Sequence, residues 1–370
     1  MRVAVVSVGD PMDRSTWSGI PTSVAAMVGV LGHEVVPVAL PYPGVLDKLE
    51  AMGRARSRRC WPDRAYRYTD RLSGLLRSAS RSVDAVISMT SLPLVGGPLE
   101  CPSAVWVDAL VPSLFDYYES YSNVPPAVRR SATERERRAL RHSDLVVAAS
   151  EWAALAAIKL DARPDRLLVS GFGPNLSPSE FAFNPRMRTE IKSLLFVGRD
   201  WSRKGGQLVV DAVRLLRDKG HELTLDVVSG GAPGSLESWI RVHGSLNPTV
   251  PAERQRLAEL FELNDLFVMP SAAECFGCVY MEATAFGVPS VGFDTGGVSS
   301  AIVANSTGLL LEPGGGASEL AACIGEVVSD RELFRGLSAR CIESAAASDG
   351  WRSSVSLVLD RLETLVEAGS

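Results

Sequence analysis

Short apolar runs separated by polar or amphipathic stretches organise the whole chain. In the first half they fall at 2–8, 35–39, 84–89, 104–109, 145–149 and 166–170. The second half repeats the alternation at 194–198, 223–229, 239–243, 266–269, 288–293 and 308–312. Helical stretches lie between several of them, including Thr22 to Leu31 and Ala132 to Arg141. Continuous apolar strands alternating with helices imply parallel sheets covered on both faces. The pattern therefore predicts an α/β chain of two Rossmann-like domains, 1–178 and 186–349, joined near Asn175–Ser179 and Asn184-Pro185. The halves share an architecture, with no sequence repeat between them. The last stretch, Trp351 to Val366, spaces Val355, Leu357, Val358, Leu362 and Leu365 as one face of a helix. In such an arrangement the expected active site is the cleft between the domains.

Composition narrows the class. At 370 residues the chain exceeds the usual size of a single core, and 46% hydrophobic with 22% charged residues is ordinary for a packed enzyme. The apolar runs are far too short to span a membrane. The N-terminus passes directly into the strand Arg2–Val8 without a leader pattern, so a cytoplasmic location is expected. A net charge of -5 argues against general nucleic-acid binding. Six cysteines (60, 101, 275, 278, 323, 341) read as free thiols rather than a disulfide framework. Cys275-Phe-Gly-Cys278 has C-x-x-C spacing, but no second pair and no nearby histidine pair completes a zinc site. A redox role needs a thioredoxin-like setting, to which the following Val-Tyr-Met-Glu segment lends little support. These cysteines read as small turn and core residues.

Candidate chemistry concentrates in the second half. After the apolar run Leu266–Pro270 comes Ser271-Ala-Ala-Glu274-Cys-Phe-Gly277-Cys-Val-Tyr-Met-Glu282, two glutamates around a Phe-Gly turn that opens a helix. Glu274 precedes the helix and Glu282 lies inside it, while the N–H groups of the helix start attract an anion. An anion socket flanked by two carboxylates that seek hydroxyls suits a sugar phosphate. Upstream, the strand Leu194–Val197 runs into Gly198-Arg199-Asp-Trp-Ser-Arg-Lys204-Gly205-Gly206. Its glycines permit a tight turn and close approach to a ligand, and Arg199 and Lys204 supply two cations. The chain has five lysines, at 48, 159, 192, 204 and 219, and one of them stands in this loop.

These stretches resemble the family-4 glycosyltransferases, retaining enzymes of the GT-B fold that use nucleotide-diphosphate sugars. The resemblance runs through Phe196-Val-Gly-Arg199 to Lys204-Gly205, Pro270 to Gly277, Glu282-Ala-Thr-Ala-Phe-Gly287-Val-Pro289, Asp294-Thr-Gly-Gly297 and Gly308–Leu311. It covers most of residues 190–315 and is looser in the first half. It implies an N-terminal acceptor domain and a C-terminal donor domain facing across a deep cleft, with the helix in 350–370 crossing back to the first domain. It further implies a hexose-type donor, UDP- or GDP-linked by default, and a hydroxyl acceptor whose identity stays open. By resemblance Glu274 contacts the transferred sugar and Glu282 the ribose hydroxyls. Arg199, Lys204 and the helix start at Gly277 stabilise the leaving diphosphate, with backbone N–H groups from Phe276, Gly277 and Cys278. The loop His243-Gly244-Ser-Leu246 meets the base. These cations stand in for a divalent metal, and neither a metal nor a further cofactor is expected.

The first half adds weaker signals. Gly19 precedes Pro21-Thr22, good helix-start residues, and by resemblance its loop approaches the donor phosphates and acceptor. Ala104-Val-Trp-Val-Asp108 ends a strand with an acid on the ligand side of the sheet. Relatives carry a histidine immediately before an acid here, and this chain has Val107. Asp108 then reads either as an acceptor-positioning residue or as a helix or turn cap. Phe115–Tyr121 suits a sugar-binding lobe or a packed loop. Arginine-dense stretches at Arg54–Arg81 and Arg129–Arg141 suit weak peripheral contact with anionic lipid headgroups or a phosphorylated acceptor. The second reads mainly as a solvated helix containing Glu134 and Glu136, with i,i+4 pairs such as Glu134 with Arg138.

Three other classes compete. A nucleotide-sugar epimerase of the same fold needs its own acid and base, and none of the histidines at 33, 142, 221 and 243 stands in a compelling context. A glycosidase needs two carboxylates facing each other across the bond. A catalytically silent sugar-nucleotide-binding relative is disfavoured by the intact Arg199, Lys204, Glu274 and Glu282.

Overall fold

A computed structural model describes residues 1–55, 66–233, 237–347 and 349–369. Contacts divide the chain into two units, Met1–Phe172 with Trp351–Ser370, and Gly173–Gly350.

The first unit contains strands Arg2–Val8 (β1), Glu34–Leu40 (β2), Ala85–Ser88 (β3), Ser103–Val107 (β4), Leu145–Ala148 (β5) and Leu167–Val169 (β6). Helices Ile20–Val30 (α1), Val45–Ala55 (α2), Tyr66–Ser80 (α3), Val111–Leu114 (α4), Pro126–His142 (α5) and Glu151–Lys159 (α6) connect them. The second unit contains Ser193–Val197 (β7), Thr224–Val228 (β8), Ile240–Val242 (β9), Leu266–Met269 (β10), Ser290–Phe293 (β11) and Gly308–Leu311 (β12). Its helices are Gly206–Asp218 (α7), Pro251–Leu263 (α8), Cys278–Ala285 (α9), Val298–Ala301 (α10), Ala317–Ser329 (α11) and Arg331–Ala347 (α12). Trp351–Gly369 (α13) returns to the first unit.

Each sheet has six strands, ordered β2-β1-β3-β4-β5-β6 and β12-β11-β10-β7-β8-β9, and the strand pairs are parallel. Both units are therefore Rossmann-like, and every apolar run read from the sequence is a strand. The central strands are buried on both faces, which is why they read as continuous rather than alternating runs.

Helix α13 joins the first unit through aromatic packing. Trp351 sits 6.2 Å from Trp106 and 5.6 Å from Phe172, centroid to centroid, and the Trp106 indole donates to Ser170 O at 3.1 Å. Its buried stripe is Trp351, Val355, Val358, Leu359 and Leu362. Leu357, expected on that face, points outward instead and Leu359 takes its place.

In the second unit Arg188 is 1% exposed, and backbone carbonyls surround its guanidinium. It donates to Asn264 O (2.9 Å), Phe286 O (2.8 Å), Phe261 O (3.0 Å) and Glu262 O (3.1 Å). These are C-terminal carbonyls that α8 and α9 leave unpaired, so one cation caps two helices. Burial pulls Arg188 down to about 10. Among the described residues no helix is long and apolar enough to cross a membrane.

Candidate active site

In the second sheet β7 and β10 lie side by side, and the chain departs from them in opposite directions, to β8 and β9 or to β11 and β12. Such a switch point is where open α/β sheets bind ligands, beyond the carboxyl ends of the strands. The loops that follow β7 and β10 meet there. Gly205 adopts φ +77°, and a Cβ on it would stand 2.4 Å from Pro270 O, so glycine alone allows this approach. Ala272 N donates to Arg203 O at 2.8 Å, and Arg203 Nη1 donates to Ala273 O at 2.7 Å.

This junction brings the Lys204 ammonium onto Glu274 Oε2, with Arg203 Nη1 3.9 Å from the same oxygen. The paired side chains are only 13% and 11% exposed. Burial, reinforced by Arg203, pushes Lys204 down to about 7. Gly277, at φ +87°, turns the chain into α9, and the Tyr280 hydroxyl donates to Met269 O at 2.5 Å. That bond ties the helix start to the end of β10. Phe276 is buried beneath the turn, and Cys278 is the first helical residue.

Glu282 has different partners. It sits on the second turn of α9, where burial pushes its carboxyl up to about 8 against the opposing pull of Arg254. The Asn175 backbone N–H donates to it. Arg254 in turn donates from Nη2 to Asn175 O (2.7 Å) and to both Glu180 oxygens (2.9 and 2.7 Å). The structure thus joins Lys204 to Glu274 and gives Glu282 to a separate cluster built on α8 and the segment after Phe172. Arg199 is exposed, and no side-chain partner for it appears among the described residues. Arg203, which the sequence reading passed over, is the second cation at Glu274. Its signal was available, since it immediately precedes Lys204.

The loop after β9 lies beside these elements. Gly244 adopts φ +70° with open space around it, and Leu246 is half-buried. A Cβ on Gly230 would touch Ser245 at 3.3 Å, and one on Gly231 would touch Trp201 at 3.2 Å, so the loops after β7, β8 and β9 converge. His243 has a defined setting after all, with its Nε2 2.6 Å from Asp226 Oδ1. Arg241 donates to both oxygens of that carboxylate, at 3.0 and 2.7 Å. Burial works against the Asp226 charge, but His243 and Arg241 hold its carboxyl below the usual range. A charged residue inside the apolar strand Leu225-Asp-Val-Val was the available clue.

The first unit has its switch point between β1 and β3. In the loop after β1, Trp17, Ser18 and Gly19 are successively left-handed, at φ 47°, 56° and 89°. Gly19 is the N-cap of α1. Asp108 follows β4, and burial pushes it up to about 6 while its own and Ala109's N–H groups oppose the shift. It does not cap α4, whose N-cap is Leu110. Buried Glu136 ties two neighbouring loops: the Ser91 hydroxyl donates to its Oε1, and Val111 N donates to Oε2 at 3.3 Å. Glu136 is therefore no part of a solvated face, and Glu134 pairs with Arg137 (3.1 Å) and Arg141 (2.9 Å) instead of Arg138. Phe115 and Tyr121 pack against Val124 and Val128, and Tyr117 lies 5.3 Å from Trp152, as in a packed loop. Within Arg54–Arg81, residues 56–65, Cys60 included, lie outside the described residues. Arg71 there pairs with Asp47 at 2.8 Å and Arg81 with Glu100 at 3.1 Å. Among the described residues no group of three or more His, Cys, Asp or Glu is placed to hold a metal ion.

Residues 191–330, which contain this junction, match the family described as glycosyl transferases group 1. The match lies within the second unit. A D-inositol 3-phosphate glycosyltransferase from Arthrobacter sp. strain FB24 is 33% identical over 217 residues, covering 55% of this chain and 51% of its own. One from Pseudarthrobacter chlorophenolicus is 29% identical over 264 residues, covering 66% and 61%. The chain spans about half the length of the curated relatives it matches. Among solved structures, a sucrose-phosphate synthase from Thermosynechococcus elongatus aligns over 100% of both chains with a TM-score of 0.74 at 17% identity. Anabaena HepE, solved with UDP and glucose, aligns over 99% of this chain and 100% of its own, with a TM-score of 0.65 at 17% identity. At such identities these structures establish the fold, which is that of GT-B glycosyltransferases.

Proposed function

We propose that the chain is a retaining glycosyltransferase that moves a hexose-type sugar from a nucleoside diphosphate to an acceptor hydroxyl. The observation that carries this reading is the Lys204–Glu274 pair with Arg203, set at the switch point of a group 1 glycosyl transferase domain. Breaking the sugar–phosphate bond builds negative charge on the departing diphosphate. Lys204, Arg203, the exposed Arg199 and the start of α9 at Gly277 stabilise that charge more strongly as it grows. Glu274 holds Lys204 in place and receives hydroxyls of the transferred sugar. Glu282 takes the ribose, and the Gly244–Leu246 loop the base. The acceptor attacks on the face the leaving group departs from, and the phosphate takes its proton. The cations do the work of a divalent metal. Asp108 belongs to the acceptor side, and the Gly19 turn approaches both the donor phosphates and the acceptor.

The names of the relatives suggest the first substrates to try: D-inositol 3-phosphate as acceptor, with UDP-hexose as donor. The test is product formation from UDP- and GDP-linked hexoses with that acceptor, with and without chelator, for the wild type and Lys204→Ala. Transfer that survives chelation and collapses in Lys204→Ala supports the reading, and anomeric analysis of the product gives the stereochemistry. Conversion of donor without acceptor would point to an epimerase. Unchanged turnover in Lys204→Ala would sink the site.

A further inference from the structure

The turn between Glu274 and α9 carries two thiols that the transfer chemistry does not use. Neither Cys275 nor Cys278 is in a disulfide, and both are partly exposed, as are Cys101 and Cys323, whereas Cys341 is buried. Cys275 lies in the turn, as expected, and Cys278 opens the helix rather than filling a core. Their setting is the one a reactive pair requires. Parallel strands β10 and β11 flank α9, so Cys275-Phe-Gly-Cys278 occupies the strand-to-helix junction of a βαβ unit, with Cys278 opening the helix. Gly277 shapes the segment between them. Gly277 is left-handed at φ +87°, and a Cβ there would stand 3.3 Å from Glu274 Cγ. Both thiols also lie within electrostatic reach of the Lys204 ammonium. Burial raises the other described cysteines, Cys101 and Cys323 to about 11 and Cys341 to about 12, which leaves them inert in the native fold.

We propose that Cys275 and Cys278 form a reversible disulfide, with a hydroperoxide as oxidant, and that this bond closes the diphosphate site. The Cys278 thiolate attacks one peroxide oxygen, breaking the O–O bond. It becomes a sulfenic acid, and the other oxygen leaves as alcohol or water after taking a proton. The Cys275 thiol then attacks the Cys278 sulfur. The S–S bond forms, the S–O bond breaks, and water departs with the Cys275 proton. Both sulfurs are oxidised and the peroxide is reduced by two electrons. A small dithiol reverses the step by exchange. A disulfide holds its two Cα atoms about 4.4–6.8 Å apart with a fixed torsion. The cross-link therefore constrains Phe276 and Gly277 between the two cysteines. It also constrains Glu274, whose carbonyl accepts from Gly297 N at 3.3 Å. The effect on ligand rests on the proposed donor site, while the thiol chemistry does not.

The experiment treats the full chain with hydrogen peroxide, then blocks remaining thiols with iodoacetamide in denaturant, and maps peptides with and without dithiothreitol. UDP binding is measured in parallel on wild type and Cys275→Ala. The expected result is a Cys275–Cys278 disulfide, with Cys101, Cys323 and Cys341 still alkylated. UDP binding by oxidised wild type weakens about tenfold or more and recovers with dithiothreitol. Cys275→Ala binds UDP equally before and after peroxide, and its trapped sulfenic acid maps to Cys278. Alkylation of both thiols after peroxide, or over-oxidation of either without a disulfide, overturns the proposal. Equal UDP binding by oxidised and reduced wild type overturns the closure. A disulfide in a protein that never binds UDP upholds the thiol pair and removes the donor-site reading.

Discussion

The two sheets end in different kinds of site. At the switch point of the second unit, opposite charges meet across two loops: Lys204 on Glu274, with Arg203 beside them. At the corresponding edge of the first unit the sheet presents a run of left-handed residues, Trp17 to Gly19. A raised carboxyl, Asp108, follows β4 of the same sheet. The first kind of site is built from side chains that two adjacent motifs supply, and it suits a ligand of fixed charge. The second is built from backbone conformation and from a remote clamp, Glu136, which holds the Ser91 and Val111 loops. A constant diphosphate on one unit and a variable acceptor on the other would explain that difference.

The comparison breaks most readily at Lys204. Lys204→Met removes the ammonium that the proposed function sets against the leaving diphosphate, and transfer falls about 10²–10³-fold in a steady-state assay. Asp108→Asn in the same assay costs about tenfold or less, because nothing ties Asp108 to the developing charge. Equal losses would erase the distinction between the two sites.

The next effect is on stability. Arg188→Met leaves the final carbonyls of α8 and α9 without their donor, and urea unfolding registers a loss of about 3 kcal/mol. In the first unit Glu136→Gln retains one acceptor for Val111 N and costs about 1 kcal/mol in the same measurement.

Two glycines separate backbone strain from crowding. Gly205→Ala meets Pro270 O as well as an unfavourable φ, whereas Gly244→Ala meets the φ penalty in open space. The first costs about 2–3 kcal/mol and the second about 1 kcal/mol, by thermal unfolding. Similar values would mean that the β7 and β10 loops are not locked together.

A further effect is a pH slope from Glu282. Its carboxyl keeps a proton up to about 8 in the fold and releases it near 4.5 when unfolded. Between those values the native state holds more protons, so stability falls as pH rises. Glu282→Gln has no such slope: it matches the wild type below the lower value and is the more stable protein above the upper one.

Much of this fold was legible because buried parallel strands announce themselves as uninterrupted apolar runs. Leu266–Met269 and Leu194–Leu195 are such runs, and the motifs beside them put Lys204 and Glu274 within one junction. What stayed hidden depended on distance along the chain. Arg188 reaches residues 73 to 98 positions away, and Arg254 reaches Asn175 across 79. Glu136 lies on a helix rich in arginine, where nothing local distinguishes it from the exposed Glu134. The cysteine pair was visible as a spacing, but its exposure and its place in a βαβ unit belong to the tertiary structure. Leu357 lies about 200° around the helix from Val355 and Leu359 only about 40°, so strict helical spacing favours Leu359 for the buried stripe.

The most direct test is calorimetric titration of the reduced protein with UDP, GDP, ADP and dTDP, repeated on Lys204→Ala, Arg203→Ala and Asp108→Asn. A diphosphate site on the second unit predicts that one nucleotide binds the wild type and Asp108→Asn alike. It also predicts that binding weakens at least about tenfold in each of the two cation variants. Undiminished binding in Lys204→Ala, or a loss confined to Asp108→Asn, would contradict it.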